Sequence, residues 1–63
     1  MSLIETIPEE LRNKESQEEF LLWLQYLPAP VHIKKYLLLD WCEFTGTPMR
    51  HSFALAVGIP LQI

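Results

Sequence analysis

Cysteine is nearly absent from this 63-residue chain, with Cys42 standing alone. A single thiol has no intrachain partner, so a disulfide-stapled miniprotein is excluded. Glycine is almost as scarce, only Gly46 and Gly58, and no glycine-rich phosphate loop exists. Basic residues are few: five Lys and Arg against eight Asp and Glu give a net charge of −3. The isoelectric point is about 5.1. Nucleic-acid-binding domains usually carry a dense basic face and a high isoelectric point, so phosphate-driven affinity is expected to be weak. Long apolar runs are missing too. The longest stretch without a charge, residues 20–33, is broken by Pro28 and Pro30, whereas a membrane-spanning helix needs about 20 apolar residues. Met1-Ser2-Leu3-Ile4-Glu5 lacks the positive region and apolar core of a signal peptide. These absences lead to the expectation of a soluble, cytoplasmic protein whose lone thiol stays reduced.

What is present is apolar. Hydrophobic residues make 49% of the chain, aromatics 11% and charged residues 21%, which excludes a disordered tail. A chain this short buries only about 60% of the surface it exposes when unfolded, so residues 1–63 form one small domain with a marginal core. Its charge is uneven. Residues 1–28 hold six Glu against Arg12 and Lys14, while residues 29–63 hold Lys34, Lys35 and Arg50 against Asp40 and Glu43.

Proline and glycine divide the chain. Pro8 opens a short acidic turn over Glu9, Glu10 and Leu11. Ser16-Gln17-Glu18-Glu19 has the form of a capping box and predicts a helix over about 17–27, ended by Pro28-Ala29-Pro30. Pro30 opens a second helix, about 30–45, with Gly46 as its left-handed C-cap. Thr47 and Pro48 fit the cap and first position of a third helix, about 48–57, closed by Gly58. Ile59, Leu61 and Ile63 then alternate as in an extended apolar tail. No pair of strand-like runs exists to build a sheet. The fold class is all-α, a small three-helix domain.

The chemistry-bearing residues do not assemble into a site. Cys42 lies near the apolar side of the second helix, where burial raises a thiol pKa instead of activating it. His32 lies ten residues away, about 15 Å along the same helix. One Cys with His32 and His51, lacking CxxC or HxxxH spacing, does not make a zinc site. Glu9-Glu10 and Glu18-Glu19 sit at helix starts, where the dipole explains them. No catalytic, cofactor-binding or metal residue is assigned, and no enzyme is expected.

Helical wheels leave an apolar surplus. The second helix places Ile33, Leu37, Trp41 and Phe44 on one stripe with Leu38 beside it, yet Tyr36 and Leu39 fall among polar positions. In the first helix Phe20, Trp23, Leu24 and Leu27 share a face, and Leu22 and Tyr26 point elsewhere. Exposing a large apolar side chain forfeits about 1.5–3 kcal/mol. Self-association as a homodimer, the commonest closed symmetry, covers such residues. Leu22, Tyr26, Tyr36, Leu39, Ile59, Leu61 and Ile63 are the expected interface. The function that follows is a self-associating interaction, assembly or regulatory module that also binds another protein. The alternative arrangement wraps the outward residues with Leu3, Ile4, Ile7 and Leu11 of the N-terminal segment.

A rival reading starts from Phe53-Ala54-Leu55-Ala56-Val57-Gly58-Ile59-Pro60. This segment resembles the first half of a DNA-binding helix-turn-helix, with an apolar residue, alanine, a glycine turn and an aliphatic. The resemblance covers eight residues, and its recognition helix would have to follow Pro60. In the other frame the third helix reads bases from its N-terminal residues. Lys34, Lys35, Arg50 and His51 would then contact nucleic acid.

Overall fold

The computed structural model describes residues 3–59. Three helices follow one another: α1 (Gln17–Tyr26), α2 (Val31–Thr45) and α3 (His51–Val57). Ahead of them runs an N-terminal arm of three single 3₁₀ turns, Ile4–Thr6, Glu9–Leu11 and Lys14–Ser16. The described residues contain no strand. The all-α, three-helix architecture with an acidic N-terminal turn is therefore what the chain adopts. The Cα radius of gyration, 10.6 Å, is that of a close-packed chain of this length.

The core forms where aromatic rings from two helices meet. Phe20 of α1 stacks on Trp41 of α2, with ring centroids 4.5 Å apart and planes within 6°. Both rings are fully buried, together with Ile7, Leu24 and Leu38. The Trp41 indole Nε1–H donates to the Leu11 carbonyl at 2.6 Å, so the buried polar edge is satisfied and the arm is tied to α2. Arg12 holds the arm's curve: its Nε–H donates to the Ile7 carbonyl at 2.8 Å and a terminal N–H to the Glu5 carbonyl at 3.1 Å. The Leu3 backbone N–H reaches the Asp40 carboxylate at 2.8 Å. Ile7 and Leu11 thus fill the core, with Leu3 and Ile4 packed against it. α3 lies closest to α1 and contributes Phe53, Ala54 and Val57.

Both glycines end helices as expected. Gly46 has φ +71° and Gly58 φ +85°, a region that costs most side chains strain. At Gly46 the Thr47 N–H bonds the Cys42 carbonyl at 2.8 Å, and the Gly46 N–H bonds that of Glu43. At Gly58 the Ile59 N–H bonds the Ala54 carbonyl at 2.9 Å, and the Gly58 N–H bonds that of Leu55. Each pair is a Schellman closure.

α1 and α2 start where expected, to within a residue, but the N-terminal caps and the start of α3 depart from expectation. Ser16 makes no capping bond, because a 3₁₀ turn already runs through it into α1. Its φ of −95° and ψ of 20° are not the extended geometry a capping side chain needs. Its hydroxyl sits 3.0 Å from the Glu10 carbonyl and from the Asn13 side-chain oxygen instead. α3 begins at His51, three residues later than expected, with Arg50 as an extended N-cap. Thr47 serves α2: it is buried, and its hydroxyl pairs with that of Thr45 at 2.8 Å. α1 ends at Tyr26, since Pro28 holds Leu27 extended. α2 begins at Val31 after an extended Pro30.

Candidate interaction face

Among the described residues, the four outward apolar side chains of α1 and α2 are exposed. Tyr26 is 75% exposed, Leu22 55%, Tyr36 55% and Leu39 40%. The arm does not cover them, because Ile7 and Leu11 go into the core. On α1 the pattern is regular. Phe20 and Leu24 face inward, and Glu19, Leu22, Trp23 and Tyr26, spaced three and four apart, line the other side. Trp23 serves both sides. It is half-buried, its ring lies 6.0 Å from that of Phe20, and it also walls an open groove. That groove, of about 390 Å³, is lined by Glu19, Leu22, Trp23, Tyr26, Leu27 and Pro28. Pro28, at the bend that ends α1, contributes to its lining. The expected core role of Trp23 and Leu27 is thus half met, and both residues, with Glu19 and Pro28, join the candidate face.

On α2, Tyr36 and Leu39 lie one turn apart among the exposed His32, Lys35 and Glu43. Lys34 is occupied elsewhere, its ammonium donating to the Gln25 carbonyl near the end of α1 at 2.9 Å. The two outward stripes differ in charge: the one on α1 begins with Glu18 and Glu19, and the one on α2 with His32 and Lys35.

The remaining assigned residues fall as follows. Ile59 is buried in the core of its own chain, because the Gly58 closure turns it back over Ala54. That removes it from the exposed set. Leu61 and Ile63, and with them the extended tail, lie outside the described residues. Arg50 and His51 are exposed at the start of α3, on a different element from Lys34 and Lys35. Phe44, assigned to the core stripe, is 59% exposed. It lies in the last turn of α2, and α3 packs closest to α1, leaving Phe44 without cover. Val31, Met49 and Leu55 are exposed as well. Leu55 was legible, since Phe53, Ala54 and Val57 occupy the other side of its short helix.

Reactive groups do not converge. Cys42 is buried, burial pushes its thiol pKa up, and its sulfur lies 4.0 Å from that of Met49. Among the described residues no group of His, Cys, Asp and Glu is placed to hold a metal ion. None of their helices is long and apolar enough to cross a membrane. Compared with known proteins, the chain matches no family model, no curated protein and no solved structure.

Proposed function

We propose that this protein is a self-associating helical interaction module, a homodimer of the cytoplasm that also binds another protein and carries no catalytic step of its own. One observation carries the reading. The arm, which could have covered the outward apolar residues, fills the core instead, and among the described residues Leu22, Tyr26, Tyr36 and Leu39 are exposed. Fully burying such a side chain is worth roughly 1.5–3 kcal/mol, and these partly exposed residues forgo about half of that each, a sizeable share of the stability of a small domain. A second copy covering part of that surface recovers the loss, and the rest remains for an unlike partner. A single buried thiol is in keeping with a reducing compartment.

Thermal unfolding tests this reading, because a dimer that unfolds to separate chains has a Tm that rises with protein concentration. Across a hundredfold concentration range the midpoint is expected to climb by several degrees. A midpoint independent of concentration contradicts self-association. Salt-sensitive retention on duplex DNA, lost on Arg50→Ala with His51→Ala, would favour the nucleic-acid reading instead.

A further inference from the structure

The outward stripe of α1 is its own chemical complement. It opens with a carboxylate, Glu19, passes through Leu22 and Trp23, and ends in a phenol, Tyr26. The midpoint between Glu19 and Tyr26 falls between the two apolar residues. At 1.5 Å rise per residue the two polar ends are about 10 Å apart. A two-fold axis through that midpoint lays a second α1 antiparallel across the first. Leu22 and Trp23 then meet the partner's Leu22 and the partner's Trp23 over the groove. Glu19 faces the partner's Tyr26, and Tyr26 faces the partner's Glu19. Each phenol O–H can donate to a carboxylate, a strong class of hydrogen bond.

Charge selects the same direction. A parallel pair would set Glu18 and Glu19 of both copies side by side, and the positive ends of both helix dipoles with them. The antiparallel pair moves these acidic ends to opposite edges of the contact. A contact in which one patch meets itself is what a closed two-fold dimer requires. The groove, about 390 Å³, is lined by the same four residues, Glu19, Leu22, Trp23 and Tyr26, together with Leu27 and Pro28.

We infer that a second copy of this chain occupies the α1 groove, with α1 antiparallel to its counterpart and Glu19 bonded to the partner's Tyr26. This assignment rests on the self-association proposed above and narrows it: α1 makes the two-fold contact, and Tyr36 and Leu39 on α2 lie outside it.

The test compares solution masses of full-length variants, with circular dichroism to verify helix content. Leu22→Glu is expected to give a folded single chain, and Leu39→Glu to keep twice the chain mass. A dimeric Leu22→Glu beside a monomeric Leu39→Glu overturns the α1 contact and leaves self-association standing on α2. A monomeric wild type overturns both. Should Leu22→Glu fail to fold, a mixed pair decides. Glu19→Arg alone and Tyr26→Glu alone each lose the reciprocal bonds, and each is expected to dissociate about tenfold to a hundredfold more readily. Mixing the two chains restores one opposite-charge pair and one native pair, so association should recover. A mixture that associates no better than its components overturns the antiparallel register.

Discussion

At the residue scale, Trp41 joins three parts of the molecule: the ring of Phe20, the carbonyl of Leu11 and the axis of α2. Trp41→Phe keeps a ring but leaves the buried Leu11 carbonyl unpaired and a void beside Phe20. The expected loss is about 2–4 kcal/mol, read as a lower urea midpoint at unchanged slope. Trp23→Phe, at a half-buried site, is expected to lose less than half as much. Cys42 provides a pH test. Burial raises its pKa in the folded chain, so folding favours the neutral thiol. Its contribution is fully present below the unfolded pKa of about 8.5 and is lost as pH rises toward the folded value. Unfolding free energy should therefore fall more steeply above pH 8.5 in the wild type than in Cys42→Ala. Equal slopes would contradict a buried, raised thiol. The buried places of Phe20, Leu24, Leu37 and Trp41 were legible from helical spacing alone. Phe44 was not, since a wheel records direction around a helix but not whether a neighbour extends to its last turn.

At the element scale, the helix ends and the starts of α1 and α2 were legible, while the capping side chains and the start of α3 were not. A glycine with positive φ has few other uses, and both glycines end helices. Capping hydroxyls are less selective: Thr47 pairs with Thr45, and Ser16 with the turn before α1, so the starts of α1 and α3 follow different rules from those their sequences suggest. Two substitutions separate these roles. Gly46→Ala and Gly58→Ala are each expected to lose about 1 kcal/mol through backbone strain alone, since open space surrounds both positions. Ser16→Ala is expected to lose less than about 0.5 kcal/mol, below the typical loss of an N-cap. A larger loss at Ser16 would restore the capping box. The arm is the element the sequence announced least, because its three short turns carry no long period. Arg12 holds it, and Arg12→Ala should loosen it. Faster amide exchange at Ile7 and Leu11, with α2 still protected, is the expected sign.

At the scale of the whole molecule, a core of aromatic and aliphatic residues from the arm and all three helices coexists with an outer α1 and α2 surface that no other described element covers. The excess of outward apolar residues was visible in the sequence as soon as Leu22, Tyr26, Tyr36 and Leu39 fell off the core stripes. The groove was not, because it depends on the bend at Pro28 and on Trp23 lying between core and surface. Self-association is the central claim, and light scattering on a sizing column measures it most directly. Across a hundredfold range of concentration the account predicts a particle of twice the 7.4 kDa chain mass. A particle of one chain mass throughout that range would contradict it.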